Sequence, residues 1–260
     1  MELAITEGTE SCAEDACEEY WTQVQESLRR RLVTEDDFAW RLPTASPAVA
    51  GKAAQEECLR YVGGVDVSYS RADSTIACAA LVVLDLQTLE IVYDDFSIAA
   101  LRTPYVPGFL AFREAPIILE VFERLKTHST LYYPQLLMVD GNGMLHPRGF
   151  GLACHLGVLA NIPTIGIAKN LHHVDGLTRL EVRQFLDAKQ CNPEDIITLT
   201  GSNRQTLGVA FRCAKGSMKP IFVSIGHRVS LTSAIEIVQM TCKYRVPEPI
   251  RQVRQCCSFL

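Results

Sequence analysis

Several features that define large protein classes are absent from this chain of 260 residues. No basic segment followed by an apolar core opens the sequence, which predicts that it has no signal peptide. No apolar run approaches the length of a membrane-spanning helix, so we expect no membrane partner. The formal charge of −5 argues against a protein that coats nucleic acid non-specifically. A local basic patch, or metal ions held by carboxylates, could still bind nucleic acid.

Cysteine is present but lacks the spacings that define metal or redox sites. The ten cysteines form no Cys-x-x-Cys pair and no zinc-finger spacing with histidine. Without a secretory signal, they are typical of free thiols in a reducing compartment. Internal repeats and low-complexity tracts are absent as well. Hydrophobic residues make up 48% of the chain, enough for a large core, and the length suits one α/β domain with additions.

The pattern of apolar residues predicts a single domain over residues 17–252. Residues 1–16 are acidic and without periodicity, so we expect a disordered tail there, and residues 253–260 are expected to form a flexible tail. An amphipathic helix near Cys17 should open the domain. Tyr244–Ile250 contains two prolines and is expected to be extended.

The order of the predicted core elements indicates a mixed α/β sheet. Three strands, which begin near Leu59, Thr75 and Leu89, are separated by short polar turns and predict an antiparallel meander. A strong helix over Phe109–Lys126, a strand over Leu136–Val139, a short helix and a further strand follow. This order matches the ribonuclease H-like fold, in which a three-strand antiparallel meander plus parallel strands is flanked by helices. The analogy predicts the fold only, because proteins that share a fold can have unrelated functions.

Three acidic residues stand in otherwise apolar surroundings. Asp140 ends the apolar strand Leu136–Val139, where open α/β sheets place their ligands. Asp66 lies between two valines of the first strand. Glu114 falls on the apolar stripe of its helix, where a lone carboxylate should be paired, protonated or bound to metal. The structural alternatives are a turn for Asp140 and a hairpin hydrogen bond for Asp66. For Glu114 they are an ion pair with Arg113 or another base, or exposure at the edge of the helix. Three hard oxygen ligands together favour a Mg²⁺ site for phosphodiester cleavage.

Further candidates follow other strands or occupy a stiffened loop. Lys169 ends a strand on the rim expected for Asp140, although a surface lysine is the alternative. His227 follows a strand-ending glycine and is a turn residue, a second metal ligand or a proton donor. Two prolines stiffen the loop Pro104–Pro107 and present Tyr105 at its tip. The loop either packs in the core or acts as a wedge that fills the gap left when a base leaves its stack.

Together, these motifs resemble the endonuclease V family of inosine-directed nucleases from about Tyr61 to Gln252. Six ordered segments carry the resemblance: Val62-Gly-Gly-Val-Asp-Val-Ser68, Pro104-Tyr-Val-Pro-Gly-Phe-Leu-Ala-Phe-Arg-Glu114, Val139-Asp-Gly-Asn-Gly143 with His146-Pro-Arg148, Gly166-Ile-Ala-Lys169, Gly226-His227 and Arg245-Val-Pro-Glu-Pro249. Near the C-terminus the family commonly has Arg-Gln-Ala-Asp, whereas this chain has Arg251-Gln-Val-Arg254. We expect this departure to affect the role of the tail and not the metal site.

The resemblance implies a metal-dependent endonuclease that cleaves single-stranded nucleic acid, RNA in animal-like members, one bond beyond the inosine on its 3′ side. It implies that Asp66, Glu114 and Asp140 bind Mg²⁺, with Mn²⁺ as a substitute. Lys169 would assist at the reacting phosphate or water, and His227 would be a distal active-site residue. The segments implied to contact the substrate are the wedge Pro104, Tyr105, Val106 and Pro107, and the hypoxanthine pocket Gly108, Leu110, Gly141, Gly143, Gly151 and Leu152.

Other functions stay open from the sequence. A deoxyinosine-directed DNA repair nuclease, or another ribonuclease H-like nuclease, is the main alternative, and the wedge and pocket segments favour an inosine nuclease over the latter. A non-catalytic inosine-binding module is disfavoured because all three acids are present. The expected partner is inosine-containing RNA, or deoxyinosine-containing DNA. We expect a monomer that is mainly cytoplasmic, with the nucleus as a second location.

Overall fold

One eight-stranded sheet organises the protein, which is described here as a computed structural model. The structure describes residues 6–43, 57–171, 174–188, 196–213 and 219–256, with side chains from residue 17 onward except at residues 187 and 188. The strands are β1 (Tyr61–Tyr69), β2 (Ile76–Asp85), β3 (Ile91–Ala100), β4 (Leu136–Asp140), β5 (Thr164–Ala168), β6 (Ile196–Thr200), β7 (Thr206–Phe211) and β8 (Ile221–His227). The helices are α1 (Thr6–Arg29), α2 (Leu110–His128), α3 (Leu152–Ala160), α4 (Arg179–Ala188), α5 (Leu231–Thr241) and α6 (Glu248–Cys256), with a 3₁₀ turn at Thr130–Tyr132.

The first three strands form the antiparallel meander that the sequence predicts. β1 pairs with β2, so that Asp66 lies opposite Ala80, and β2 pairs with β3. β2 is buried along nearly its whole length because helices cover both faces of the sheet. Its odd-numbered residues pack with α2, and its even-numbered residues pack with Val253 of α6.

Two parallel strands extend the meander. β4 lies beside β1 and runs in the same direction, with Val139 opposite Val65. β5 continues the sheet in parallel with β4. Because Asp66 and Asp140 follow the two paired valines, the pairing brings these acids side by side. This arrangement is the predicted ribonuclease H-like mixed sheet.

The other half of the sheet is antiparallel. β8 pairs with β5, β7 with β8 and β6 with β7, which gives the order β3-β2-β1-β4-β5-β8-β7-β6. The apolar runs Leu207–Arg212 and Pro220–Ile225 predict a pair of strands, and the structure confirms this prediction as β7 and β8. β6 was not predicted; it is a five-residue strand at the sheet edge in which only Leu199 is buried.

Helices pack on both faces of the sheet. Leu137 and Val139 join a core cluster with α2 and α3, whereas Leu136 and Met138 join a cluster with α5 and α6. Side chains of a strand alternate between faces, so Asp140 shares the α6 face with Met138. No helix in the described part of the chain is long and apolar enough to cross a bilayer.

The N-terminal helix begins earlier than the sequence predicts. α1 starts at Thr6 instead of near Cys17, so residues 6–16, which were expected to be disordered, are helical. This segment is rich in Ala and Glu, which favour helix, and acidic residues near a helix N-terminus are stabilised by the helix dipole. Residues 1–5 lie outside the described residues.

The C-terminal segment also differs from its prediction. Tyr244–Ile250 was expected to be extended, but α6 begins at Glu248 with Pro249 in the first turn, where the missing N–H of proline is not needed. Val253 is fully buried, so residues 253–256 belong to the folded domain and not to a flexible tail. Residues 257–260 lie outside the described residues.

Candidate active site

Asp66 and Asp140 form the centre of the candidate site. The register that pairs Val65 with Val139 makes the following two residues neighbours on adjacent strands. Asp66 is 9% exposed and lies among buried core residues. Burial, followed by the negative charge of Asp140, raises the pKa of Asp66 well above its ordinary value. The two carboxylates therefore require a neighbouring cation or a proton.

Glu114 is buried on α2, as its place on the apolar stripe predicts, with 6% of the residue exposed. The Tyr69 hydroxyl group donates a hydrogen bond to Glu114 Oε1 at 2.9 Å. Burial raises the pKa of Glu114 to about 7; the hydrogen bond from Tyr69 opposes this shift and the nearby aspartates add to it. The alternative ion pair with Arg113 is not formed, because that guanidinium donates to the carbonyls of Thr103 and Ser74.

Two cationic side chains contact Asp140. Lys169, directly after β5, places Nζ 2.7 Å from Asp140 Oδ2, which confirms its predicted position on the rim. Arg254 of α6 places Nε 2.7 Å from the same oxygen and 3.6 Å from Asp66 Oδ2. Burial lowers the pKa of Lys169, and Asp140 counteracts this effect. The expectation that the C-terminal departure leaves the metal site untouched is therefore wrong, because α6 folds back onto the acids.

The three acids have the chemistry of a divalent-metal site. Carboxylate oxygens are the ligands that Mg²⁺ prefers, and these acids are close enough to raise the pKa of Glu114. Glu114 is hydrogen-bonded to Tyr69, and Asp140 is hydrogen-bonded to Lys169 and Arg254. Within the described residues, no three His, Cys, Asp or Glu side chains form a group that could hold a metal ion in this arrangement. The three carboxylates suit Mg²⁺ as ligands, but in this structure the cationic side chains of Lys169 and Arg254 balance the charge of the aspartates.

A cavity of about 350 Å³ adjoins the acids. Asp140, Lys169 and Arg254 line one side of it. The predicted substrate residues that line it are Tyr105, Pro107, Gly108, Leu110, Gly141, Gly151 and Leu152. A pocket of this size lies within the usual range of ligand sites, about 300–1,000 Å³. The structure thus brings most of the predicted pocket and the acids to one place.

The proline-flanked loop only partly matches its prediction. Tyr105 is 63% exposed at the cavity, which excludes the alternative that it is a packed core residue. Pro104 and Val106 are not among the described residues that line the cavity. The carbonyl of Val106 instead accepts the N–H of Phe109 just before α2, so its role is to form the turn.

Gly143, unlike the other predicted pocket residues, is not among the described residues that line the cavity. A Cβ at Gly143 would lie 1.9 Å from the carbonyl oxygen of Ile225, which means that glycine is needed there for packing against β8. Gly141 does line the cavity, and a Cβ there would meet only Leu152, at 3.5 Å. The sequence showed two equivalent glycines, but only the folded loop distinguishes them.

His227 lies at the opposite end of the sheet from Lys169. Because β8 runs antiparallel to β5, His227 pairs with Thr164, the first residue of β5, while Lys169 follows the last. Its Nδ1 accepts a hydrogen bond from the Val33 backbone N–H, and burial lowers the pKa of His227 to about 4. The resemblance implies that His227 is a distal active-site residue, and the structure places it at the far end of β5 from Lys169.

Gln25 of α1 was missed by the sequence analysis. It is 3% exposed, and its Nε2 donates to the carbonyls of Gly108 and Phe150 at 3.2 and 3.1 Å. Its Oε1 accepts a hydrogen bond from Arg148 Nε. A polar residue four positions after Trp21 and three before Leu28, on the apolar face, was the available signal. Gln25 thus connects Gly108 and Phe150, which lie in two different segments that line the cavity.

A second cavity, of about 480 Å³, lies next to the first and shares Lys169 and Asn170 with it. No Asp or Glu is among the described residues that line it. Its basic residues are Lys169, Arg179, Arg183, Arg212, Lys219 and Arg245. We call this the basic cavity; its positive potential contrasts with the acidic chain as a whole.

Comparison with known proteins gives a family. The model of the Endonuclease V family matches residues 45–255 of this chain. Endonuclease V of Mus musculus is 44% identical over 232 residues, which cover 89% of this chain and 66% of the mouse protein. The chain thus spans just under two thirds of that relative's length.

Solved structures of similar proteins have the same fold. The catalytic domain of human Endonuclease V matches with a TM-score of 0.85 and 40% identity, covering 94% of this chain and 95% of the human one. Ciona intestinalis Endonuclease V, in complex with a 23mer DNA containing an inosine followed by a ribo-adenosine, matches with a TM-score of 0.83 and 33% identity, covering 94% and 97%. These relatives have a ribonuclease H-like fold, which confirms the predicted fold class.

Proposed function

This chain belongs to the endonuclease V family, and we propose that it is a Mg²⁺-dependent endonuclease that cleaves RNA one bond beyond an inosine, on its 3′ side. Nucleases of this family are generally metal-dependent. The observation that carries the proposal is the shared wall of the first cavity, where Asp140 and Lys169 stand beside Gly108, Gly141 and Leu152. A base held in this cavity would have its backbone near the carboxylates.

The acids and Lys169 would divide the chemistry between them. Asp66, Glu114 and Asp140 would hold Mg²⁺, with Mn²⁺ as a substitute. When bound, such an ion lowers the pKa of water and stabilises the leaving oxygen of a phosphodiester. Lys169, held at 2.7 Å from Asp140, would place a positive charge beside the reacting phosphate. Deprotonated Glu114 is the form that would bind metal, and in the metal-free protein burial raises its pKa to about 7.

The base would be recognised mainly by backbone groups. Gly108, Gly141 and Gly151 line the cavity without side chains that would separate backbone N–H and C=O groups from a base edge. An N–H aimed at the 6-oxo group of hypoxanthine would face an amino group in adenine and stay unpaired, at a cost of roughly 1–3 kcal/mol. A close wall at position 2 would exclude the amino group of guanine.

Tyr105 would stack where the target base leaves its neighbours. Its side chain is 63% exposed beside the cavity, which leaves its ring available to a nucleobase. Base–aromatic stacking contributes about 1–3 kcal/mol per base. The basic cavity would hold phosphates of the nucleic-acid strand whose target base lies in the first cavity, because the two cavities meet at Lys169.

A deoxyinosine-directed DNA nuclease is the second candidate. The Ciona intestinalis relative was solved with a DNA that contains an inosine followed by a ribo-adenosine, so in that protein a largely deoxyribose strand is accepted. We further propose that the present protein acts as a monomer, mainly in the cytoplasm and secondarily in the nucleus. The described cysteines are free thiols, as in reducing compartments.

One cleavage experiment tests the proposal. Four oligonucleotides of the same sequence, with inosine or adenosine and as RNA or DNA, are incubated with the protein in Mg²⁺ or EDTA. We expect cleavage of inosine RNA in Mg²⁺ at the second bond on the 3′ side, weaker cleavage of inosine DNA, and none in EDTA. Asp140→Asn should bind the RNA but cleave it at a small fraction of the parent rate. Equal cleavage of adenosine RNA, or activity in EDTA, would contradict the proposal.

A further inference from the structure

Arg254 joins the two aspartates of the candidate active site. Its Nε is 2.7 Å from Asp140 Oδ2 and 3.6 Å from Asp66 Oδ2. Lys169 Nζ lies 2.7 Å from the same Asp140 oxygen. One carboxylate oxygen therefore accepts from two cations, and the pair of negative charges is balanced by protein groups alone.

The packing of α6 determines where Arg254 stands. A Cβ at Gly64 of β1 would come within 2.2 Å of the Pro249 carbonyl oxygen, so the first turn of α6 lies directly on the sheet. Val253 is fully buried in the cluster formed with β2. Arg254 follows Val253 in this anchored helix, and the side chain therefore begins next to the acids.

The guanidinium covers the carboxylates from the solvent side. The Arg254 side chain is 51% exposed, whereas the side chains of Asp66 and Asp140 are 11% and 12% exposed. Arg254 also lines the first cavity together with Asp140. An ion that approaches Asp140 from the cavity meets the guanidinium, which can leave by side-chain rotation without any movement of the helix.

We propose that Arg254 competes with the divalent metal ion for Asp66 and Asp140, and so sets the metal concentration that the protein needs. This inference rests on the proposed metal-dependent function. Asp140 Oδ2 already accepts from Lys169 and Arg254, so a metal ion on this oxygen would place a third, doubly charged cation beside them. A metal ion that binds Asp140 must therefore displace the guanidinium, which is the more exposed of the two cationic groups. The resulting affinity for metal is the intrinsic affinity reduced by the free energy of the Arg254 contacts.

Substitution of Arg254 tests the competition directly. Arg254→Gln removes the charge and keeps a polar side chain, and Arg254→Lys keeps a charge. Mg²⁺ binding is measured by isothermal titration calorimetry, without substrate. We expect the Gln variant to bind Mg²⁺ about tenfold more tightly or better, the usual effect of losing a competing charge-assisted hydrogen bond. The Lys variant should stay closer to the parent.

Thermal unfolding gives a second readout that does not depend on activity. In EDTA, Arg254→Gln should have a lower Tm than the parent, because Asp66 and Asp140 then repel each other. In Mg²⁺ the variant should gain more in Tm than the parent does, since it binds the ion more tightly. Arg30→Gln is the matched control. Arg30 is exposed directly after α1, its substitution removes the same charge, and the Mg²⁺ affinity and the gain in Tm should both stay unchanged.

The outcomes separate this inference from the function on which it rests. Equal Mg²⁺ affinities for the parent and Arg254→Gln, with equal gains in Tm, would overturn the competition and leave the nuclease function standing. If neither protein binds Mg²⁺ and neither cleaves inosine-containing RNA, the proposed function itself fails.

Discussion

Glu114 makes the stability of the metal-free protein depend on pH. Burial of its carboxyl group raises the pKa to about 7 from an ordinary value of 4.5. Between these two values the folded state binds more protons than the unfolded state, so the free energy of unfolding decreases as pH rises through this window. The negative charge that a metal ion would later neutralise therefore destabilises the metal-free protein at neutral and alkaline pH.

Glu114→Gln should remove the part of the pH dependence that Glu114 causes, whereas the part caused by the raised pKa of Asp66 should stay. Glutamine has the same shape, and its amide oxygen can still accept the hydrogen bond from Tyr69. In EDTA at pH 8, we expect the variant to be more stable than the parent by up to about 3 kcal/mol, at 1.36 kcal/mol per pKa unit. At pH 4.5 the two should be nearly equal, because the parent carboxyl is then protonated in the fold. Urea denaturation at both pH values measures this, and equal stabilities at pH 8 would show that Glu114 is not the destabilising group.

The two glycines after Asp140 should respond differently to alanine. A Cβ at Gly141 meets Leu152 at an ordinary distance of 3.5 Å inside the cavity, so Gly141→Ala should fold and raise the KM for inosine RNA about tenfold by crowding the base. A Cβ at Gly143 would clash with the carbonyl of Ile225, so Gly143→Ala should lower the free energy of unfolding by about 1–3 kcal/mol or more. Cleavage kinetics and thermal unfolding of both variants distinguish these effects; a normal KM for Gly141→Ala would exclude Gly141 from the base site.

At the scale of secondary-structure elements, α1 supports the base cavity through Gln25. The amide of Gln25 holds the carbonyls of Gly108 and Phe150, which belong to segments on two different sides of the cavity. Removing this amide would leave buried acceptors without their donor, and the cavity walls would be free to separate. We therefore expect the position of α1 to affect substrate binding, although none of the α1 residues whose side chains are described lines the cavity.

Gln25→Ala should lower kcat/KM for inosine RNA and reduce the discrimination against guanosine RNA. The loss of buried hydrogen bonds should also lower the free energy of unfolding by about 1–3 kcal/mol. Gln23→Ala, on the exposed side of the same helix, is the control and should leave these quantities unchanged. If the two variants show the same selectivity between inosine and guanosine, Gln25 supports only the fold.

The sequence predicted the elements whose signal is local. Asp66, Glu114 and Asp140 stand out because each interrupts an apolar pattern, and the pairing of β1 with β4 follows from the order of strands. The direction of β8 cannot be predicted from its own residues, so the sequence did not indicate at which end of the sheet His227 lies. The site of Arg254 depends on how closely α6 approaches Gly64, a tertiary contact that no periodicity reports.

At the scale of the whole molecule, charge is unevenly distributed. The chain has a formal charge of −5, which would repel a polyanion at long range. The basic cavity gathers six Lys and Arg residues, with no Asp or Glu among the described residues that line it. Binding of a nucleic-acid strand should therefore depend on this one region, and a small number of substitutions there should have a measurable effect.

Salt dependence tests whether phosphates occupy the basic cavity. Arg179 and Arg183 are exposed and four residues apart on α4, so their replacement by Gln should not disturb the core. Each phosphate contact with a single strand contributes about 0.7 to the slope of log K against log salt concentration, so the double variant should show a slope smaller by about 1.4. The weakening should be similar for inosine and adenosine RNA, because phosphate contacts do not read the base.

The measurement uses Asp140→Asn as the background, so that the RNA is bound without being cleaved. Fluorescence anisotropy with a labelled inosine RNA gives the dissociation constant at several KCl concentrations. Arg30→Gln with Arg71→Gln removes two exposed arginines outside the basic cavity and should leave the slope unchanged. An equal change of slope in both double variants would mean that the strand responds to net charge alone. An unchanged slope in the double variant Arg179→Gln with Arg183→Gln would place the strand on another surface. If these arginines neutralised phosphates, their removal would reduce the number of counterions released on binding and therefore the slope.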